Sequence, residues 1–141
     1  MDSLHPTRPG TAIVWKETIK ISEVNCFIER RAQIIKVGGE SFVNVYAPSG
    51  SNNRREREDF FSDLYLHLYN IGGGKLPVLA GDFNSVIAEV DTTRHFSSKL
   101  SKVLRQLVNQ SQYSDCFRTL HQAAQEFTFH RVAHMAQSRL D

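Results

Sequence analysis

The hydrophobic pattern of this chain changes its period near residue 53, and that change limits which folds the chain can adopt. Before this point, apolar residues form short runs rich in β-branched and aromatic side chains, as is typical of strands. After it, apolar residues recur at three- and four-residue intervals, as is typical of amphipathic helices. A chain of 141 residues with both patterns is expected to fold as one layered α/β domain.

These patterns predict the order of the elements. The first third predicts four strands, which are Thr11 to Trp15, Asn25 to Glu29, Gln33 to Val37 and Ser41 to Tyr46, with a hairpin turn at Gly38-Gly39. Later segments predict a helix that starts at Asn53 and stops at Gly72-Gly73-Gly74, a buried strand at Val78-Leu79-Ala80, a helix from Ser97 to Val108, a helical turn from Ser114 to His121 and a strand from Glu126 to Val132. The charged run from Arg54 to Glu58 is interpreted as a solvated helix start, whose arginines are also able to contact a DNA backbone.

Charge and composition say little about partners. The formal net charge is +2, from 17 basic and 15 acidic residues, which is too small to indicate nucleic-acid binding by itself. The first residues do not resemble a signal peptide, and no window approaches the ~20 apolar residues of a membrane span, so we expect a protein that is neither secreted nor in a membrane. Cys26 and Cys116 lie far apart, and free buried thiols in a reducing compartment explain them best.

Two segments offer groups that are suited to chemistry. Gly81-Asp82-Phe83-Asn84 follows an apolar run, so a carboxylate and a carboxamide leave the end of a strand, where active sites of open α/β sheets tend to lie. Asp, Asn and Gly are equally typical of a plain strand-to-turn junction. Tyr46 ends another strand before Pro48 and is able to present a phenol at a cleft, although tyrosines at strand ends are more often core residues.

A set of motifs follows in a fixed order along the chain. It consists of GTAIV at residues 10 to 14, VNVYAPS at 43 to 49, a basic helix start that runs into Phe60-Phe61, LAGDFN at 79 to 84, Asp91, FTF at 127 to 129 and SRLD at 138 to 141. This ordered set resembles the endonuclease/exonuclease/phosphatase family, and within it the endonuclease domains of LINE-type (non-LTR) retrotransposons. The resemblance runs from about Gly10 to the last residue.

The resemblance implies a fold, an activity and residue roles. The fold would be a four-layered α/β sandwich with two packed mixed sheets, and the reaction would be Mg²⁺-dependent hydrolysis of a phosphodiester, with Mn²⁺ as an alternative metal. Asp82 would activate or position the attacking water, Asn84 would hydrogen-bond the phosphate, and Tyr46 would help to bind it. Asp141 would orient a histidine that neutralises the phosphoryl oxygen. These residue types suit the reaction, because hydrolysis needs a general base and groups that stabilise charge on the phosphoryl oxygens.

The sequence departs from the family pattern at both ends. Family members have an Asn and a metal-binding Glu on strands before the GTAI-like segment, and an Asp-His pair after the SRLD-like segment, and neither is present here. Residues 1 to 141 are therefore expected to be a single incomplete domain that lacks N-terminal strands and a C-terminal strand, and the metal ligand is expected outside this chain. The parent protein would nick DNA, carry a reverse-transcriptase domain and act in the nucleus, whereas this chain alone would be inactive. The alternatives are a catalytically dead remnant with residual DNA binding, and a phosphoesterase that acts on a small phosphorylated substrate.

Overall fold

The computed structural model describes residues 10–71, 75–93, 100–131 and 136–141. Within these residues, six strands and three helices follow one another along the chain. The strands are β1 (Ile21–Phe27), β2 (Ala32–Val37), β3 (Glu40–Tyr46), β4 (Val78–Asp82), β5 (Phe129–Arg131) and β6 (Ala136–Ser138). The helices are α1 (Arg54–Ile71), α2 (Lys102–Gln110) and α3 (Cys116–Leu120), with short 3₁₀ turns at Ser51–Asn53 and Glu89–Asp91.

The strands form two sheets. The larger sheet has the order β1-β2-β3-β4, in which β1, β2 and β3 are antiparallel neighbours and β4 runs parallel to β3. The parallel pair is connected through α1, as a crossover between parallel strands requires. The smaller sheet is the antiparallel pair β5 and β6. The expected α/β class, with a mixed sheet and packed helices, is confirmed.

The core lies between one face of the larger sheet and helices α1 and α2. Alternation along the strands directs one set of side chains of β2 and β3 towards this face. The helices cover it with side chains at three- and four-residue intervals, so that a continuous apolar core is formed. Its buried members are Ala32, Ile34, Val43, Val45, Ala47, Phe60, Phe61, Leu64, Leu68, Leu104 and Leu107.

The opposite face of the larger sheet exposes apolar side chains. The strand register aligns Val24, Ile35, Phe42 and Val78 in one row across all four strands. Ile35 is buried, but Val24, Phe42 and Val78 are 50%, 38% and 53% exposed. The expectation of a buried strand at Val78-Leu79-Ala80 is therefore wrong in one respect, because β4 is an edge strand with only one face against the core.

Several elements differ from the sequence prediction. β1 is Ile21–Phe27 rather than Asn25 to Glu29, and β5 is Phe129–Arg131 rather than Glu126 to Val132. Thr11 to Trp15 is not a strand, and Ala12 is instead tied to β3 by the Asn44 side chain, whose Nδ2 donates to the Ala12 carbonyl at 3.1 Å. The helix expected from Ser97 begins at Lys102 in the described residues, because the Ser101 hydroxyl accepts the Leu104 N–H and caps it. Residues 97–99 and 72–74, which include the expected Gly72-Gly73-Gly74 helix stop, lie outside the described residues.

Two remaining expectations concern the cysteines and membrane-spanning helices. Cys26 and Cys116 are free, as expected, but both are exposed rather than buried. Among the described residues, no helix combines the length and the apolar content that a membrane crossing requires.

Candidate functional site

Strands β3 and β4 end side by side, and this brings two of the predicted site residues together. Tyr46 and Asp82 are the last residues of the two strands and are partners in the parallel register. The Ala47 N–H then donates to the Asp82 carbonyl at 2.8 Å, which extends the pairing by one residue. The phenol and the carboxylate therefore lie on adjacent strands at the carboxyl edge of the sheet, where sites of α/β sheets commonly form.

Gly81 allows β4 to approach β3 closely enough for this pairing. Its φ is +127°, and a Cβ atom at this position would lie 2.1 Å from the Val45 carbonyl oxygen and 2.7 Å from the Val45 nitrogen. Real Cβ atoms do not approach backbone atoms this closely, so a side chain here would push the strands apart. The glycine of this motif is thus fixed by backbone contact, whatever chemistry follows it.

Asn84 lies in a turn beyond the end of β4 and is held by two hydrogen bonds. Its backbone N–H donates to Asp82 Oδ1 at 2.9 Å, and its side-chain Nδ2 donates to the Ala47 carbonyl at 2.9 Å. Its φ of +47° lies in the left-handed region, which Asn tolerates better than most residues. Strand alternation therefore does not place Asn84 beside Asp82. A turn places Asn84 beside Asp82. Through its backbone N–H and its side-chain amide, Asn84 links the ends of β4 and β3.

Arg57 stabilises the segment that follows Tyr46. Its Nη1 donates to the carbonyls of Pro48 and Gly50 at 3.0 and 3.1 Å, and the residue is buried. Burial lowers the pKa of Arg57, because desolvation disfavours the charged form. The interpretation of residues 54 to 58 as a solvated helix start is therefore wrong for Arg57, while Arg54, Arg55 and Glu56 are exposed.

The last predicted site residue, Asp141, is connected to the Asp82 segment through its neighbours. The Phe83 N–H donates to the Leu140 carbonyl at 2.8 Å, and Arg139 Nη1 donates to the Asp141 carbonyl at 2.7 Å. Asp141 itself is exposed. The structure thus brings the segment at residues 81–84 next to the segment at 138–141, as a shared site requires.

A charge cluster beneath this junction was not recognised from the sequence. Asp91 is 1% exposed, and its Oδ1 accepts from Arg118 Nε at 3.0 Å and from Arg139 Nε at 2.9 Å. Arg139 also donates to Asp115, and both guanidinium groups lie about 5 Å from the Phe117 ring centroid, at 4.9 and 5.1 Å. Burial opposes the charge of Arg139, but the hydrogen bonds to both carboxylates outweigh it and raise its pKa.

Asp91 and Arg139 both belong to the ordered motifs of the sequence, but the sequence alone indicates no role for either residue. Their burial and mutual contact depend on how residues far apart in the chain pack together, so no local pattern could have indicated them. The cluster joins charged residues from three widely separated segments, with Asp91 in the first, Asp115 and Arg118 in the second and Arg139 in the third.

A cavity of about 340 Å³ lies between β4, α2 and the segment around Phe117. Its walls are mainly apolar and include Leu79, Leu104 and Phe117, with Leu140 and Asp141 at one side. Tyr113, which also lines it, donates its hydroxyl to the Pro77 carbonyl at 3.1 Å, and burial raises its pKa. The cavity adjoins the junction of residues 81–84 with 138–141.

The described residues do not form a metal site by themselves. Within residues 10–71, 75–93, 100–131 and 136–141, no three His, Cys, Asp or Glu side chains come together as metal ligands. Asp82 is the carboxylate at the strand exit, and one of its oxygens accepts the Asn84 N–H. A hard cation such as Mg²⁺ needs more oxygen ligands than this, although waters commonly supply several of them.

Comparison with known proteins identifies the fold. No family model matches this chain. Among solved structures, the chain is similar to an AP endonuclease from Archaeoglobus fulgidus, with 18% sequence identity and a TM-score of 0.67 over 81% of this chain. The two proteins share a fold. The match covers 51% of the endonuclease, so this chain spans about half the length of that protein. An identity of 18% supports the shared fold and no finer assignment.

Proposed function

We propose that this chain is the middle part of a phosphodiesterase domain that nicks DNA, of the kind found in LINE-type retrotransposons. The observation that carries the proposal is the pairing of Tyr46 with Asp82 at the ends of adjacent parallel strands, with Asn84 tied to both strand ends. A phenol, a carboxylate and a carboxamide within one small area suit a reaction that needs a base and hydrogen-bond donors.

Each site residue has a proposed role in phosphodiester hydrolysis. The Asp82 carboxylate accepts a proton from the attacking water or positions it. Asn84 uses one of its two side-chain N–H groups on the Ala47 carbonyl, and its second N–H is proposed to donate to a phosphate oxygen. The Tyr46 hydroxyl donates to another oxygen of the same phosphate. Asp141 orients a histidine that belongs to a segment after it.

The proposed enzyme depends on Mg²⁺, with Mn²⁺ as a substitute. Mg²⁺ is held in proteins by one or two carboxylates together with waters and substrate phosphates. A glutamate on a strand outside this chain is proposed as the protein ligand, and Asp82 remains the base. The metal would supply charge stabilisation on the phosphoryl oxygens.

Two observations support the proposal that residues 1 to 141 are one incomplete domain of a longer protein. The chain spans about half of the AP endonuclease whose fold it shares. Val24, Phe42 and Val78 expose an apolar row on the sheet face opposite α1, and single domains seldom leave such a row uncovered. We propose that additional strands of the same protein cover this face, and that a reverse-transcriptase domain follows in a protein that acts in the nucleus.

The distribution of charge near the site supports DNA as the substrate. The exposed Arg54 and Arg55 begin α1, about one turn before the buried Arg57, whose side chain binds the loop that follows Tyr46. Although the net charge is only +2, local cations of this kind contact the phosphates of a nucleic-acid backbone. A phosphoesterase for a small substrate would have less use for cations outside its reaction centre.

Nicking of supercoiled plasmid tests the proposal. A polypeptide that carries this chain with both flanking segments should nick with Mg²⁺ and stop with a chelator, whereas the chain alone should not. Asp82→Asn should lower the rate by about 10²- to 10⁴-fold, because the amide still accepts the Asn84 N–H but cannot act as a base.

The matched control is Asp63→Asn, which removes the same charge from an exposed position of α1 and should leave nicking unchanged. If the flanked Asp82→Asn protein nicks as fast as its parent, the active-site assignment is wrong. If the flanked parent binds DNA without nicking it, the dead-remnant alternative is correct. Hydrolysis of a small phosphorylated compound without nicking would favour the third possibility.

A further inference from the structure

Arg31 extends the row formed by Tyr46 and Asp82 onto a third strand. It immediately precedes β2, and its carbonyl accepts the Tyr46 N–H at 2.8 Å, so Arg31 lies next to Tyr46 across the antiparallel pair. Tyr46 is in turn the register partner of Asp82. Arg31, Tyr46 and Asp82 therefore follow one another across the edge of the sheet where the proposed site lies.

The guanidinium of Arg31 is poorly satisfied by its protein contacts. Nη1 lies 3.4 Å from the Tyr46 carbonyl and Nη2 lies 3.4 Å from Glu56 Oε1, which are both long for hydrogen bonds. Its Nε is buried and has no hydrogen-bond partner among the described residues. The group lies beside Tyr46, with Cζ 5.8 Å from the ring centroid. A guanidinium has five N–H donors, so much of this capacity is not used by good hydrogen bonds.

Arg57 provides a contrast in hydrogen-bond length and burial, although its Nε, like that of Arg31, is buried without a partner among the described residues. Its Nη1 donates to two carbonyls at 3.0 and 3.1 Å, and the whole residue is buried, as expected for an arginine with a structural role. The Arg31 side chain retains 14% exposure at the site edge, and its acidic partner, Glu56, is 53% exposed. An ion pair this long and this exposed contributes little stability, so a stronger anion is able to displace it.

The backbone that leads to Arg31 is strained. Ile28, Glu29 and Arg30 have φ values of 50°, 52° and 66°, so three consecutive non-glycine residues adopt the left-handed region. The Arg31 N–H closes this turn by donating to the Ile28 carbonyl at 2.8 Å. A β-branched residue in this conformation is unusual, and strain of this kind is found most often near binding and catalytic sites.

We propose that Arg31 binds a phosphate of the DNA backbone, with the donors of its guanidinium directed at a phosphodiester next to Tyr46. This inference rests on the proposed function in taking DNA as the ligand. The planar guanidinium can donate to two phosphate oxygens at once. A phosphate held by two such hydrogen bonds is bound more strongly than Glu56, whose contact with Arg31 is long. Arg31 positions the backbone, and the proton transfer remains with Asp82.

Binding of a fluorescent DNA duplex, measured by anisotropy over a range of salt concentrations, tests this proposal without any need for catalysis. For the 141-residue chain, Arg31→Ala should weaken binding about tenfold at low salt and reduce the slope of log affinity against log salt by about 1, because one phosphate contact is lost. Arg105→Ala is the control, since Arg105 is exposed on α2 and its loss changes the net charge equally.

Arg31→Lys is the second variant, because it keeps the charge and avoids an empty space beside Tyr46. It should keep the salt slope but bind several-fold more weakly, since an ammonium cannot match two oxygens. The proposal is overturned if Arg31→Ala has the slope and affinity of the parent, or if Arg105→Ala loses as much. If circular dichroism shows that Arg31→Ala is unfolded, parental affinity of Arg31→Lys overturns it instead. Nicking by the Asp82 variants tests the enzyme activity separately, so failure of one idea leaves the other open to measurement.

Discussion

At the scale of single residues, the motif at residues 81 to 84 makes structural contacts and also carries the proposed chemistry. Gly81 is required by close backbone contact, and the Phe83 N–H holds the Leu140 carbonyl. Asp82 and Asn84 carry the proposed chemistry, yet the Asn84 N–H also donates to the Asp82 carboxylate, and the Asn84 side chain donates to the Ala47 carbonyl. Substitutions in this motif will therefore often change stability and activity together, and controls must separate the two effects.

Gly81→Ala should strongly destabilise the fold. The new Cβ would lie 2.1 Å from the Val45 carbonyl oxygen, and because this neighbour is backbone, the β3–β4 pairing must shift. We expect a loss of roughly 3 kcal/mol or more in the free energy of unfolding, measured by urea denaturation. Gly39→Ala is the control, since its φ is +84° but no atom lies within 4 Å of the added Cβ. It should cost only about 1–2 kcal/mol of backbone strain. Equal losses for the two variants would contradict the contact argument.

At the scale of elements, the sequence pattern predicted the hairpin and the helices, whose formation depends mainly on residues close together in the chain. The β2–β3 hairpin was predicted from Gly38-Gly39, and both glycines adopt positive φ values of 58° and 84°, as a two-residue turn between twisted strands requires. The spacing of Phe60, Phe61, Leu64, Leu68 and Ile71 predicts α1, and the first four are buried whereas Ile71 is partly buried. The short helix α3 was also predicted, between Ser114 and His121.

Elements that depend on distant partners were predicted less well. Thr11 to Trp15 has strand composition but does not join a sheet among the described residues. β6 (Ala136–Ser138) was not predicted, because its pairing with β5 and the bridge from Thr92 to Ser138 depend on tertiary packing. The same limit applies to the site. The residue types of the candidate site are predictions from the sequence pattern, whereas the contacts of the Asp91 cluster and of Arg31 are visible only in the folded chain.

Glu58 connects two helices, and its removal should loosen α2. Its Oε2 accepts the Ser101 hydroxyl and the Val103 N–H, both at 3.1 Å, so a carboxylate on α1 caps the N-terminus of α2. Glu58→Ala should cost about 1–2 kcal/mol in the free energy of unfolding, because a backbone donor loses its partner and the helix dipole loses a favourable charge.

Hydrogen exchange tests whether this effect is local to α2. In Glu58→Ala, the Val103 and Leu104 amides should exchange faster, while amides in the centre of α1 change little. Glu58→Gln keeps an oxygen acceptor without the charge and should lose less stability. If the alanine and glutamine variants are equally destabilised, the charge and not the hydrogen bond accounts for the effect.

At the scale of the whole molecule, the larger sheet is covered on one face and only in part on the other by the described residues. Its inner face packs against α1 and α2, whereas Val24, Phe42 and Val78 of the opposite row are 50%, 38% and 53% exposed. β4 also lies at an edge of this sheet in the described part of the chain, and edge strands tend to pair with further strands. An exposed apolar row next to an edge strand favours association with further strands, either of the same protein or of another copy.

The isolated chain should therefore self-associate, and substitutions in the exposed row should reduce this. Phe42→Thr combined with Val78→Thr removes two of its apolar side chains and keeps residues that favour strands, so sedimentation velocity should show a smaller share of oligomers. Leu66→Thr combined with Leu120→Thr is the control, because these leucines are 59% and 76% exposed but lie on helices away from the row. The control should sediment like the parent. If the parent chain is a monomer with a sharp cooperative melt, the sheet does not need a cover, and the proposal of an incomplete domain loses its physical basis.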